Sequence, residues 1–126
     1  MLSHVKRLWG SLLAAFMVVC STIDAAVFGS RDAIVGFCVS QYDDGLLWLT
    51  WFGVSPVHHG TGLGTRLLDS VKMSLSERRA HKVWCDTRAS NEPSARALTR
   101  SGFTRVAELK NHWYVQDYYI WEWSPR

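Results

Sequence analysis

The stretch Val57-His58-His59-Gly60-Thr61-Gly62-Leu63-Gly64-Thr65-Arg66-Leu67-Leu68, VHHGTGLGTRLL, joins an apolar run to a helical pattern. Three glycines occupy alternate positions in it. Before it, residues 46–54 are apolar at nearly every position, which is typical of a strand covered on both faces. After it, leucines and valine recur at the spacing of a helix face. The stretch therefore predicts a strand, a glycine loop and a helix that begins near Gly62.

The glycine spacing excludes the two commonest phosphate loops. A dinucleotide-binding fingerprint needs G-x-G-x-x-G, and a Walker A loop ends in Gly-Lys-Ser/Thr, whereas this loop ends in Gly64-Thr65-Arg66. Glycines still let successive backbone N–H groups turn toward one point, and the first turn of a helix presents unpaired N–H groups with a partial positive charge. A tight turn alone would need fewer glycines, because each costs up to about 1 kcal/mol inside a helix. We favour a cradle for an anion, namely a phosphate group.

The rest of the chain alternates between hairpins and one strand-helix-strand unit. Strands are predicted over residues 25–28, 33–41, 46–54, 82–87, 106–109 and 114–123. A second helix has N-cap candidates at Ser90 and Asn91 and a stop at Gly102. This order predicts an α/β (α+β) domain with a mixed, mostly antiparallel sheet and helices on both faces.

The N-terminal segment has the outline of a secretory signal, with Lys6 and Arg7 before an apolar run. Its cleavage sites are poor, and the run is shorter than the roughly 20 residues of a membrane span. We favour an amphipathic helix instead. Its apolar stripe is Leu2, Val5, Leu8, Trp9, Leu12, Phe16, Val19 and Cys20.

Length and composition predict one domain over residues 1–126. A net charge of +3 with scattered Lys and Arg gives no support to nucleic-acid binding. Cys20, Cys38 and Cys85 lie in apolar contexts without C-x-x-C spacing, which favours buried thiols in a reducing, cytoplasmic compartment and no metal site. We expect no membrane partner.

Two motifs and a strand resemble a known family. VSPVHHGTGLGTRLL, residues 54–68, resembles the acetyl-coenzyme A motif of the Gcn5-related N-acetyltransferases (GNAT), although His59 stands where Arg or Gln is usual. NEPSARALTRSGF, residues 91–103, resembles the second motif of that family. VWCDTRASN, residues 83–91, is similar to a strand of the branch that acetylates ribosomal-protein and other protein N-termini. The resemblance covers residues 25–123.

The resemblance implies a GNAT acyl-CoA N-acyltransferase fold with a splayed sheet and acetyl-CoA as cosubstrate. It implies that the backbones of Phe52 and Val54 pair with the pantetheine arm and that Asn91 contacts the cofactor. The pyrophosphate would bind the amides of the loop, so that His59 contributes its backbone. These loop residues are His59, Gly60, Thr61, Gly62, Leu63, Gly64 and Thr65.

Acetyl transfer to an amine needs a base and an acid. Asp86 occupies the position of an acidic residue in the N-terminal acetyltransferase branch and is the general-base candidate, with a surface carboxylate or a helix-cap partner as the alternative. The family often places a tyrosine where this chain has Leu98. Tyr114 is our candidate for that acid, with Tyr118 and Tyr119 as substitutes, unless these tyrosines only line the sheet.

The predicted function is direct acetylation of a primary amine, with a peptide or protein N-terminus favoured. A small-molecule amine, such as a polyamine or an aminoglycoside, is the alternative acceptor, and a catalytically weak CoA-binding module is the alternative outside enzymes. Family members usually carry another strand and a helix pair ahead of the meander, and here only one helix fits. The acceptor pocket is then open, completed by a partner chain as in a homodimer, or lost through truncation at the N-terminus.

Overall fold

A computed structural model describes residues 14–19, 23–29 and 33–126. Seven strands form one sheet in the order β1-β2-β3-β4-β5-β7-β6. The strands are β1 (Ala14–Val19), β2 (Ile23–Gly29), β3 (Ile34–Asp43), β4 (Leu46–Val54), β5 (Lys82–Arg88), β6 (Thr104–Leu109) and β7 (Tyr118–Trp123). The helices are α1 (Leu63–Met73), the single turn α2 (Leu75–Arg78) and α3 (Glu92–Arg100), with 3-10 turns at Pro56–His58 and Trp113–Val115.

The sheet is mixed and mostly antiparallel, as predicted. Strands β1 to β4 form an antiparallel meander, and β7 pairs antiparallel with both β5 and β6. Among the described strands the one parallel pair is β4 with β5, which α1 connects as a crossover. The meander carries the glycine loop at its end and the crossover carries the helix.

The N-terminal helix prediction is wrong for residues 14–19, which form strand β1. This strand pairs antiparallel with β2, from Ala14 opposite Gly29 to Val19 opposite Asp24. A short apolar run fits either a buried strand or a helix, and here the pairing with β2 decides. Only three residues separate the two strands in sequence. The remainder of the predicted helix, before residue 14 and at residue 20, lies outside the described residues.

The core lies between the sheet and the two longer helices. Leu67 and Leu68 of α1 are fully buried, as are Leu47 of β4 and Val83 of β5. Gly36 of β3 lets α1 come close, because a Cβ there would stand 3.1 Å from a methyl group of Leu67. Leu98 of α3 joins the same cluster. Both of these helices therefore pack on one face of the sheet, which we call the helix face.

The two helices of the helix face are joined at their C-terminal ends. Lys72 Nζ of α1 donates a hydrogen bond to the carbonyl of Ser101, just after α3. The same ammonium group lies 5.0 Å from the ring centroid of Trp123 and 5.7 Å from that of Phe103. Cation–aromatic contacts and a hydrogen bond thus fix this end of the helix pair.

The opposite face of the sheet, here the open face, is lined by aromatic residues of the central strands. Trp48 and Trp84 meet edge to face with ring centroids 5.8 Å apart. Trp51 is 67% exposed and Phe37 is 37% exposed. No helix of the described residues 33–126 covers them, and none is long and apolar enough to cross a membrane.

Candidate active site

A gap opens between β4 and β5. Their parallel pairing runs only from Leu46 opposite Lys82 to Leu49 opposite Cys85. Beyond that point the end of β4 continues to pair with β3, and the end of β5 continues to pair with β7. The two central strands therefore separate, which is the splay that the resemblance implied.

The end of β4 turns backbone polar groups into this gap. Ser55 donates its N–H to the carbonyl of Val35 on β3, at 2.7 Å. Because the peptide group is planar and trans, the Val54 carbonyl must point the opposite way, into the gap. Phe52 lies two residues earlier and presents its backbone to the same side. Both residues therefore turn strand-like backbone groups toward the gap.

The loop after β4 ends in an uncapped helix N-terminus. Gly60 and Gly62 adopt left-handed backbone conformations with φ of 79° and 83°. Gly62 is the N-cap of α1 and provides no side-chain cap, and the first helical hydrogen bond runs from Arg66 N to Gly62 O. The first-turn amides, from Leu63 to Thr65, precede this bond. They have no partner within the helix and remain the candidate anion cradle.

Two of the amides that were predicted to bind the pyrophosphate are used inside the loop. His59 N donates to the Pro56 carbonyl at 3.2 Å, and Thr61 N donates to the His58 carbonyl at 3.3 Å. The His59 side chain makes a further contact, because its Nε2 lies 2.9 Å from the Val54 carbonyl oxygen. His59 therefore makes hydrogen bonds through both its ring and its backbone N–H.

A cleft of about 680 Å³ runs from the gap past the loop to the start of α3. Asn91 caps α3 by accepting from Ser94 N at 3.2 Å, which selects it over Ser90 as the N-cap. The cleft is lined on one side by Phe52, Gly53, Val54, His58, His59, Gly60, Gly62, Gly64 and Thr65. It is lined on the other by Asn91, Pro93, Ser94, Arg96, Ala97 and Arg100.

Asp86 lies on the other side of the gap. It follows Cys85, the last residue of β5 paired with β4, and its side chain alternates with that of Cys85, so it faces the open face. The carboxyl group is half-buried. Burial raises its pKa, while a backbone hydrogen bond and the charge of His112 act to lower it. A carboxyl group with a raised pKa is a better proton acceptor than a solvated one.

The connection between β6 and β7 brings His112 to this side. Residues Asn111, Tyr114 and Val115 all have φ between 46° and 57°, a region that costs about 1–3 kcal/mol for such residues. The Asp117 carboxylate holds the connection by accepting from Asn111 N at 2.9 Å and Lys110 Nζ at 3.1 Å. The Asp117 carbonyl accepts from Ala89 N at 2.8 Å, which ties the connection to the end of β5.

Residues 16–103 match the Acetyltransferase (GNAT) family. The chain belongs to the GNAT family. It is therefore an acetyltransferase by family, and no curated protein matches its sequence. The predicted strand and helix order, from the meander to the final strand pair, also agrees with the fold described above for this GNAT chain.

Solved structures of other acetyltransferases share the GNAT fold of this chain. One is a GNAT acetyltransferase from Elizabethkingia anophelis with acetyl-CoA bound, at 12% identity and a TM-score of 0.79, with 92% of this chain and 100% of that chain covered. Nourseothricin acetyltransferase has 18% identity and a TM-score of 0.77, with 94% of this chain and 92% of that chain covered. Arabidopsis thaliana Naa50 in complex with the bisubstrate analogue CoA-Ac-MVNAL has 19% identity and a TM-score of 0.71, with 80% of this chain and 72% of that chain covered. At these identities the likeness concerns the fold.

The cleft of the GNAT chain gathers most of the residues predicted to bind the cofactor. Thr61 and Leu63 do not line it, and the Leu63 side chain is buried in the core. Sequence reasoning missed His58, Arg96 and Arg100, which add basic groups to the cleft. The spacing of four between the two arginines, on a helix capped by Asn91, is the signal that could have found them.

The tyrosine predictions fare differently from one another. Tyr114 was expected in a strand but lies in the 3-10 turn, 81% exposed, with the Arg88 guanidinium 5.9 Å from its ring. The predicted strand begins only at Tyr118, because the strained turn interrupts it. Tyr118 is buried and its hydroxyl accepts from Arg88 Nε at 3.3 Å. Leu98, at the usual tyrosine position, is a core residue.

Proposed function

We propose that this GNAT chain transfers the acetyl group of acetyl-CoA directly to a primary amine, with the N-terminal α-amine of a peptide or protein as acceptor. One observation carries the proposal. The gap between β4 and β5 has the basic cleft and the uncapped N-terminus of α1 on the helix face, and Asp86 on the open face. Donor and acceptor can therefore approach the same opening from opposite sides.

The helix-face side of the gap fits acetyl-CoA. The first-turn amides of α1 and the basic side chains of Arg96 and Arg100 suit the phosphates, and the carbonyl of Val54 suits an amide of the pantetheine arm. His58 Nδ1 is buried with no partner among the described residues, which leaves a polar atom for a ligand to satisfy. When bound, acetyl-CoA supplies an activated acetyl group and a thiol leaving group.

The open-face side of the gap fits a base and a primary amine. An α-amine with a pKa near 8 is roughly one-tenth neutral at pH 7, whereas a lysine amine is almost fully charged. Asp86 would accept the proton that the amine loses, directly or through water. Tyr114 is the proposed acid, and it is supported by the contact of its ring with the guanidinium of Arg88, the last residue of β5, at 5.9 Å.

Transfer without a covalent enzyme intermediate is supported by the described cysteines. Cys38 and Cys85 are both buried. Burial and the neighbouring Asp86 charge raise the pKa of the Cys85 thiol well above its ordinary value. A thiol that stays protonated is a poor nucleophile, so Cys85 is not suited to carry the acetyl group.

A peptide acceptor is supported by the exposed apolar residues of the β6–β7 connection. Trp113 and Val115 are 43% and 75% exposed and stand beside His112, whose charge reaches Asp86. They can contact the first side chains of a peptide whose amine reaches the carboxylate. The structural likeness to nourseothricin acetyltransferase keeps a small-molecule amine as the second candidate, and the buried Leu98 keeps a cofactor-binding module as the third.

Binding and turnover separate the candidates. We expect acetyl-CoA to raise the melting temperature, and the absence of any shift would contradict the cofactor assignment. Thiol release is then measured with peptides, polyamines and aminoglycosides as acceptors. A matched pair of peptides, one with a free N-terminus and one blocked at the N-terminus with an internal lysine, distinguishes α-amines from side-chain amines.

Each outcome of the panel has one meaning. Acetylation of the free N-terminus alone supports the proposal, and mass spectrometry of the product locates the acetyl group. Turnover with polyamines or aminoglycosides but not with peptides would overturn the peptide acceptor. Binding of acetyl-CoA without turnover on any amine would favour the cofactor-binding module.

A further inference from the structure

The His59 side chain occupies a hydrogen-bonding site inside the gap. Its Nε2 lies 2.9 Å from the carbonyl oxygen of Val54. A carbonyl oxygen only accepts hydrogen bonds, so Nε2 must carry the hydrogen in this contact. The ring therefore donates to the last carbonyl of β4.

That carbonyl would otherwise be a free strand-edge acceptor. It points into the gap because Ser55, in the same peptide group, donates toward β3. The neighbouring strand β5 has already left β4 at Leu49 and cannot supply a donor. The His59 ring thus takes the place of the next strand's N–H and satisfies an edge group that the splay leaves unpaired.

The same position is needed by an amide-bearing ligand. A pantetheine arm carries two secondary amides, and an extended amide chain beside β4 would pair with the groups that the end of this strand turns into the gap. The imidazole, with Nε2 2.9 Å from the Val54 oxygen, takes the space beside that carbonyl in which such a chain would run. Ring and arm therefore exclude each other.

We propose that His59 is a latch on the pantetheine site: its imidazole closes the Val54 carbonyl in the free protein and must rotate away before the arm can pair with β4. This rests on the proposed function, since it presumes coenzyme A as the ligand. The ring has room to leave, because His59 is exposed and a Cβ added at the adjacent Gly60 would meet nothing within 4 Å. Breaking the contact opposes binding of the arm.

The latch predicts that removing the His59 ring raises the affinity for a ligand that carries the pantetheine arm and leaves the affinity for the phosphates alone unchanged. We compare the parent and His59→Ala by calorimetric titration with coenzyme A and with adenosine 3′,5′-bisphosphate, which carries phosphates but lacks the arm. Coenzyme A should bind about threefold to tenfold more tightly to His59→Ala, the ratio expected for one competing hydrogen bond. The bisphosphate should bind both proteins equally.

Controls are available in the chain. His81→Ala removes an exposed histidine beside Gly45, at the other end of β4, and should leave both affinities unchanged. His59→Gln keeps a donor for the carbonyl and should resemble the parent. In the parent, the Nε2–H signal of His59 in a long-range ¹H–¹⁵N spectrum should shift with coenzyme A and stay with the bisphosphate.

The outcomes separate the latch from the proposed function. Unchanged coenzyme A affinity in His59→Ala would overturn the latch and leave cofactor binding intact. Equal weakening for both ligands would also overturn it, because His59 would then be a phosphate contact. A parent protein that binds no coenzyme A would overturn both the latch and the proposed function.

Discussion

The positive charge of His112 acts on the carboxyl group of Asp86 and opposes the effect of its burial. The two residues are far apart in sequence, and His112 comes within electrostatic range of Asp86 because β7 pairs with β5 and the β6–β7 connection is tied to the end of β5. The His112 ring is held edge to face against Trp113 and Tyr118, with centroid distances of 4.2 Å and 6.3 Å. The pair makes the proton affinity of Asp86 depend on the connection.

Replacing His112 with alanine should shift the acid limb of the activity profile to higher pH. Loss of the imidazolium removes a charge that lowers the pKa of Asp86, so a higher pH is needed to ionise the carboxyl group. The rate at alkaline pH should be retained, since the Asp86 carboxyl group is ionised there with or without His112. The measurement is kcat/KM against pH. Asp86→Asn is the control and should lose the limb altogether; an unmoved limb in His112→Ala would contradict the coupling.

Replacing Asp86 with asparagine should raise the melting temperature at neutral pH. The folded pKa of Asp86 lies above its unfolded value, so the native state binds the proton more tightly, and stability from this group falls as pH rises through that range. Asparagine resembles the protonated carboxyl group and does not ionise, so this loss of folding stability does not occur in Asp86→Asn. Thermal unfolding should show a higher Tm for Asp86→Asn at pH 7 and equal values in acid. A lower Tm at pH 7 would mean that the carboxylate has a stabilising partner.

Gly62→Ala should abolish stabilisation by acetyl-CoA. Gly62 has φ of 83°, so alanine costs about 1 kcal/mol of folding stability and displaces the amides that start α1. Gly102→Ala is the matched control, because Gly102 has the same φ and lies at the other end of the helix pair. Both variants should lose a similar amount of stability, but only Gly102→Ala should keep the acetyl-CoA shift in Tm. Retention of the shift in both would contradict the cradle.

Glu122→Gln should destabilise the protein at neutral pH by about 1 kcal/mol and have little effect in acid. Its carboxylate accepts from Trp84 Nε1 at 2.5 Å and Lys82 Nζ at 3.1 Å, and these donors lower the Glu122 pKa. A lowered folded pKa gives stability that is present above the unfolded pKa and lost as pH falls through the folded one. Urea unfolding at two pH values measures the effect. An equal loss of unfolding free energy at both pH values would mean that the effect comes from packing and not from the charge of Glu122.

Local patterns predicted the elements that lie at the centre of the fold. Residues 46–54 were placed as a strand with the bounds of β4, because a run apolar on both faces has few other solutions. Asn91 and Gly102 marked α3 because caps depend on neighbouring residues alone. The β1 strand was missed, since its spacing of apolar residues also fits a helix and only pairing with β2 decides.

The site was predictable as far as it depends on backbone. The glycine spacing predicted the start of α1, and the family resemblance implied the splay and the position of Asp86 beside it. The contact of the His59 ring with Val54 was not predicted, because the direction of the ring is set by the Pro56–His58 turn. The same holds for His112, whose charge acts on Asp86 from a connection in which Tyr114 and Val115 are left-handed, although both were expected to be in a strand.

The hydrogen bond from Lys72 to the Ser101 carbonyl fixes one end of the helix pair, so that any relative motion of α1 and α3 is a rotation about that end. The far ends of α1 and α3 are pinned to each other, while their near ends, at Gly62 and Asn91, face each other across the cleft. A displacement that widens the cleft is then a tilt about the pinned end, and a small angle there becomes an opening of several ångströms at the near ends over a helix of about 1.5 Å rise per residue. The contacts of Lys72 with Phe103 and Trp123 would then stay in place while the width of the cleft changes at Gly62 and Asn91.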